Sequence, residues 1–250
     1  AGLKITADIY TYNASSTGLT GVVPTWVQEG GHEQWMNRMR DPIARKRLLA
    51  DLTAELAQQP AEDILMVGFK KDSMAQIYRG KTIAEAALMR NQTAPEAIID
   101  LILEDDSRIQ CIYFSMSPEN LRNKMQIPWV SFCSDAGTYS DWKDDFRTHP
   151  RAFGSFVRVL SEFTIKEQLL SMASAIHRLT GLPATNLGLK DRGFIKEGYW
   201  ADLVLFDPEA LKDKATFDNP LQYAEGMDDV WVNGVQVLQS GTHTNQFPGV

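Results

Sequence analysis

Two short apolar segments, Leu3 to Tyr12 and Ile127 to Cys133, read as buried strands. Between them lie roughly a hundred residues, far more than the crossover that joins neighbouring parallel strands. The second segment, Ile127-Pro-Trp-Val-Ser-Phe-Cys133, is apolar, β-branched and aromatic, and it stops at a turn signal. This layout predicts an α/β unit with residues 13–126 inserted between two of its strands, as a lid over a site.

The insert reads as mostly helical. Asn13-Ala-Ser-Ser-Thr-Gly18 is a polar loop whose hydroxyls sit beside the tyrosines at the end of the first strand. Asp41-Pro42 is an N-cap followed by Pro at the first helical position, and Ile43, Leu48, Leu49, Leu52 and Leu56 recur at helical spacing. Thr82-Ile-Ala-Glu85 and Thr93-Ala-Pro-Glu96 are capping boxes for helices ending near Asn91 and Asp105. Ile64 to Phe69 and Ile109 to Phe114 are short strands, and Ser117-Pro118-Glu119 opens a helix to Met125. His32 reads as a surface histidine with no partner.

Beyond the second strand the text is Ser134-Asp135-Ala136-Gly137, then a polar loop from Tyr139 to Thr148, then His149-Pro150-Arg151. Asp135 is a carboxylate at the C-terminal edge of a buried strand, where α/β barrels hold their chemistry. Ser-Asp-x-Gly is also ordinary turn chemistry. Arg151 opens a helix through Phe163. Thr164-Ile-Lys-Glu167 reads as a third capping box, for a helix to His177 that Gly181-Leu-Pro183 ends. Asn233-Gly234 between apolar runs is a hairpin turn, and residues 187–250 are expected to form a small β domain.

With a net charge of −7, a phosphate-tracking nucleic-acid binder is disfavoured. No run approaches the length of a membrane span. Cys111 and Cys133 sit in strand-like runs, and neither lies near a second cysteine or a histidine at metal-ligand spacing. The chain opens on a core strand without initiator Met or signal peptide, so we expect it to be the later part of something longer, with the compartment, cytoplasmic or periplasmic, left open.

Gly193-x-Ile195-x-x-Gly198-x-x-Ala201-Asp202-Leu203-Val204-x-Phe206-Asp207-Pro208, followed by Val232-Asn233-Gly234, resembles the C-terminal signature of the amidohydrolase superfamily. Asp8-x-Tyr10-x-Tyr12-x-Ala14-x-Ser16-Thr17, Ser134-Asp135-x-Gly137, His149-Pro150-Arg151-x-x-Gly154-x-Phe156-x-Arg158-Val159-Leu160 and Asp213-x-Ala215-Thr216-Phe217 resemble its D-aminoacylase branch, the N-acyl-D-amino-acid deacylases. The resemblance implies the last part of a metal-dependent-hydrolase (β/α)₈ TIM barrel, residues 1–12 and 127–186, with the 13–126 insert and a C-terminal β-sandwich. It implies Asp135 as the catalytic carboxylate and as a candidate ligand of a second metal. Arg151 would bind the carboxylate of the N-acyl amino acid, with Tyr10 and Ser16 hydrogen-bonding the same end. An arginine fork matches a carboxylate, and a carboxylate can take a proton from water and return it to a leaving amine.

Zinc is the implied cofactor, held in family members by a His-x-His, further histidines and a cysteine upstream of the position of Leu3. This chain has four histidines, His32, His149, His177 and His243, in no such pattern. Catalytic zinc takes about three protein ligands. The remaining ligands are therefore expected on the missing N-terminal half of the same protein. A dipeptidase-, hydantoinase- or dihydroorotase-like hydrolase, and a non-catalytic remnant of the fold, are the alternatives.

Overall fold

The computed structural model describes residues 2–138 and 147–249. Residues 139–146, which hold most of the expected polar loop, lie outside the described residues. The chain divides into two compact units, one of residues 1–12, 117–140 and 150–250, the other of residues 13–116 and 141–149. The first strand, β1, is shorter than its sequence pattern and spans Ala7–Ile9.

The polar stretch expected as a loop is strand β2 (Ser15–Gly18). Helices α1 (Thr25–Gln28), α2 (His32–Arg40) and α3 (Pro42–Leu56) follow, with the Asp41 carboxylate accepting from the Ile43 and Ala44 amides as an N-cap. Next come β3 (Ile64–Gly68), α4 (Asp72–Tyr78), α5 (Ile83–Arg90), α6 (Ala94–Asp105) and β4 (Gln110–Tyr113). Both capping boxes form: the Glu85 amide donates to Thr82 Oγ1, the Glu96 amide to Thr93 Oγ1, and each glutamate reaches back to its threonine amide.

The insert is therefore not helical alone, because β2, β4 and β3 make an antiparallel sheet in that order. Its core joins Leu48 and Leu52 of α3, Ile98, Ile99 and Ile102 of α6, Met66 and Cys111. Each buried Leu or Ile contributes about 1.5–3 kcal/mol. Ile43, expected on the same stripe, is exposed in the first turn of α3. No side-chain cap bond forms at the Lys71 N-cap of helix α4; the buried Asp105 carboxylate accepts from the Lys70 and Lys71 amides at its start. His32 is not partnerless: its Nε2 lies 2.9 Å from Asp106, with its ring edge-on to Trp35.

The first unit continues with α7 (Pro118–Met125) and β5 (Val130–Phe132). Strands β1 and β5 pair in parallel, Ala7 with Val130, Asp8 with Ser131 and Ile9 with Phe132. Helix α8 (Arg151–Arg158) runs on as a π-helix from Val159 to Lys166. Thr164 does not cap a new helix: its hydroxyl donates to the Val159 carbonyl within the π-helix, and the next helix, α9 (Met172–Leu179), is capped by Ser171. Gly181 opens α10 (Gly181–Leu187) rather than ending the preceding helix.

Four antiparallel strands complete the unit: β6 (Leu203–Phe206), β7 (Met227–Val232), β8 (Val235–Gln239) and β9 (Thr242–His243), in that order. The β7–β8 turn is Asn233-Gly234 with φ of 51° and 79°, as a two-residue hairpin of this twist requires. Phe206 and Met227 pack onto the core formed by Leu121, Met125, Phe132, Val157 and Leu160, so this sheet and the helices share one interior. Strand β6 is an edge strand, and Leu203, Val204 and Leu205 are all exposed.

Candidate active site

The parallel pairing of β1 and β5 brings their C-terminal ends side by side. The Cys133 amide donates to the Ile9 carbonyl, continuing the ladder one residue past β5. Asp135 follows with φ of 48°, the left-handed conformation that an aspartate tolerates better than most side chains. The left-handed residue is thus Asp135 itself and not Gly137, and the carboxylate reaches solvent at the strand end.

Arg151, the first residue of α8, meets it there. Arg151 Nη1 lies 2.9 Å from Asp135 Oδ2; the arginine side chain is 10% exposed and the aspartate 61%. The guanidinium carbon also sits 4.5 Å over the Tyr10 ring, just beyond β1. Stacking on an aromatic face leaves the edge of a guanidinium free to point its donors at a carboxylate. Burial pushes the Tyr10 hydroxyl above its ordinary pKa, with Arg151 acting in the opposite direction. Tyr10 is therefore a neutral hydroxyl at neutral pH, able to donate a hydrogen bond. An open cavity of about 640 Å³ lies beside the group, lined by Asp8, Cys133, Asp135, Phe156, Leu179 and Leu187 among others. Burial, then the Asp8 charge, raises the Cys133 thiol, so it stays protonated near neutrality.

Three of the four residues singled out in the sequence, Asp135, Arg151 and Tyr10, thus form one cluster. Ser16 belongs to the other unit, in β2, where its hydroxyl donates to the Cys111 carbonyl and accepts from Gln110 Nε2.

Tyr12, Arg158 and Asp213, from three separate motifs, form a second group. Tyr12 donates to Asp213 Oδ2 at 2.7 Å, and Arg158 Nη1 lies 3.4 Å from the same oxygen. Asp213 Oδ1 accepts from the Ala215 amide at 3.0 Å, and the Asp213 side chain is only 3% exposed. Arg158 Nε donates to the Thr11 carbonyl, and Thr11 Oγ1 donates to the Ser155 carbonyl. Burial, then the Asp213 charge, drives the Tyr12 pKa upward. The recurrence of Tyr, Gly, Arg and Asp in the motifs was the signal; their convergence on one carboxylate was not readable from it.

Among the described residues, no group of three or more His, Cys, Asp or Glu side chains could hold a metal ion. The four histidines are dispersed: His32 pairs with Asp106, His149 Nε2 lies 2.9 Å from the Ala14 carbonyl, and the His177 and His243 rings pack near Phe194 and Tyr223. The described residues therefore do not build a zinc site by themselves.

Comparison with known proteins agrees with the motifs. Residues 134–238 match the model of the amidohydrolase family. The chain is 38% identical over 160 residues to an N-acyl-D-aspartate deacylase of Alcaligenes xylosoxydans xylosoxydans, covering 62% of this chain and 31% of the relative. It is 33% identical over 170 residues to a D-aminoacylase of the same organism, covering 68% of this chain and 33% of that protein. Among solved structures, a D-aminoacylase described by its binuclear metal centre superposes with a TM-score of 0.72 at 28% identity, over 98% of this chain and 42% of its own. The N-acyl-D-glutamate deacylase of Bordetella bronchiseptica, complexed with zinc and a phosphonate mimic of the tetrahedral intermediate, gives a TM-score of 0.69 at 27% identity, over 94% of this chain and 40% of its own. The chain thus resembles D-aminoacylases and their deacylase relatives, and it spans about a third of the length of the curated relatives it matches.

Proposed function

We propose that this chain supplies the carboxylate clamp and the acid–base aspartate of a zinc-dependent hydrolase that cleaves the amide of N-acyl-D-amino acids to a carboxylate and a free D-amino acid. The observation that carries the reading is the Arg151 guanidinium, stacked on Tyr10 and aimed at a carboxylate 2.9 Å away at a strand end. In this reading a substrate carboxylate takes the place that Asp135 occupies on the fork, with the Tyr10 hydroxyl as a further donor. Ser16 is assigned to the same substrate end on the strength of the motif alone. Freed from the fork, Asp135 exchanges a proton with the attacking water and the leaving amine.

Zinc, when bound, polarises the amide carbonyl and acidifies water. Its ligands would come from polypeptide that the longer relatives possess, with Asp135 as a candidate ligand of a second ion. The barrel and sandwich architecture belongs to the same proposal. Its support is that β1 and β5 have no other strand neighbours among the described residues and that β6 is an apolar edge. The partners are accordingly a small N-acyl amino acid and that upstream polypeptide. No helix of the described residues is long and apolar enough to cross a membrane.

The test uses the full-length protein, with zinc quantified in the preparation and D-amino acid release followed from N-acyl-D-amino acids. We expect turnover, and a rise of about 10²-fold in KM for Arg151→Met, the loss of a charge-assisted pair of about 1.5–3 kcal/mol. A zinc-loaded protein without turnover would refute the activity, and an unchanged KM in Arg151→Met would refute the clamp.

A further inference from the structure

Helix α8 and the segment after β1 each carry one half of the clamp, Arg151 and Tyr10, which meet guanidinium over ring. Arg151 begins α8, while Arg158 ends it, two helical turns on. Tyr10 and Tyr12 lie two residues apart just after β1, on either side of a bend at Thr11. The Asp213 carboxylate takes hydrogen from both: Oδ2 accepts from Tyr12 and faces Arg158, and Oδ1 is anchored on the Ala215 amide. The Arg158 guanidinium also lies 4.9 Å over the Tyr12 ring, repeating the arginine-on-tyrosine stack of Arg151 on Tyr10. Phe217 meets the Tyr12 ring edge-on, with centroids 6.1 Å apart.

We propose that Asp213 is a positioning residue for the substrate-carboxylate clamp, holding Arg151 over Tyr10 by tying Arg158 and Tyr12 to one buried carboxylate. The proposal rests on the clamp reading given above. Asp213 acts on the clamp through the helix and the tyrosine segment, by way of Arg158 and Tyr12. Charge is needed as well as shape. In Asp213→Asn the oxygen can keep the Ala215 amide only by turning an NH₂ toward Tyr12 and Arg158, so the Tyr12 hydroxyl must turn from donor to acceptor and the Arg158 guanidinium, which only donates, loses its acceptor. Tyr12→Phe is the milder probe, because it removes one donor and keeps the ring in contact with Arg158 and Phe217.

Both variants are made in the full-length protein. Binding of an N-acyl-D-amino acid is measured by calorimetry, and kcat and KM are measured alongside. A clamp that holds the substrate carboxylate equally in ground and transition states predicts Kd and KM raised about tenfold with kcat within about threefold, in both variants. Equal Kd in Asp213→Asn and wild type overturns the proposal, as does a fall in kcat with Kd and KM unchanged. If Asp213→Asn does not fold, the Kd of Tyr12→Phe decides by the same criterion. Wild-type binding without turnover would remove the hydrolase reading and leave the clamp and its positioning residue standing. Wild-type protein that binds no N-acyl-D-amino acid would remove both.

Discussion

Replacing Gly154 with alanine tests the packing behind the clamp most severely. Gly154 faces inward from the middle of α8. A Cβ built there falls 2.0 Å from the Tyr12 hydroxyl and 2.2 Å from Asp213 Oδ1, with the Asp213 Cγ at 2.7 Å. Ordinary non-bonded contact lies near 3.5 Å, so these atoms must part by more than about 1 Å. Neither neighbour can swing aside, since both side chains are buried and Asp213 is held by the Ala215 amide. The helix must shift instead, or the Tyr12–Asp213 hydrogen bond must break. Overpacking costs about 1–3 kcal/mol and a hydrogen bond to a charged group about 1.5–3. These overlap, giving about 2–4 kcal/mol in total. Urea unfolding of Gly154→Ala is compared with that of Gly137→Ala, where a new Cβ meets nothing within 4 Å. With slopes of about 1–3 kcal/mol per molar urea, the Gly154→Ala midpoint should fall by about 1 M or more while the other stays near wild type. A Gly154→Ala midpoint within about 0.2 M of the Gly137→Ala midpoint would refute the reasoning.

Two further outcomes concern charge. The Lys70 ammonium, then His32, holds the Asp106 carboxyl down at about 2, from an ordinary 3.8. A depressed pKa stabilises the fold above the unfolded value and loses that contribution as pH falls towards the folded one; the window here is therefore about 4 down to 2. An NMR titration should place the Asp106 midpoint near the bottom of that window and move it upward in Lys70→Met, and an unmoved midpoint would contradict the pairing. In the core, Arg178 is 1% exposed and donates to the Val130 and Met125 carbonyls, with its guanidinium 4.3 Å over Phe132. Arg178→Met leaves two buried carbonyls without their donors and should cost about 2–4 kcal/mol in thermal or urea unfolding; a loss under about 0.5 kcal/mol would show that the carbonyls find other donors.

The legible parts of the chain were those where a local pattern suffices. Thr82 and Thr93 cap their helices by contacts three residues away, and Asn233-Gly234 needs only its own dihedrals. The same logic misled at Thr164, because α8 does not stop: the π-helix consumes Thr164 Oγ1 on the Val159 carbonyl before it can cap anything. Strand β2 was hidden by its composition, Ser-Ser-Thr-Gly, which reads as a loop until the apolar β4 recruits it. At the site, Asp135 stood out through its place after a strand, and Arg151 only through the family resemblance of its motif. The carboxylate that binds Tyr12 lies 201 residues from it in sequence, and no local rule reports such a pairing.

Among the described residues, Leu203 to Phe206 leaves one side of its backbone without a ladder partner, and three of its four side chains are exposed. Such a margin is self-complementary, since a second copy could extend it strand to strand. Preparations of this polypeptide by itself should therefore be kept dilute, with light scattering as the early warning of fibril-like growth.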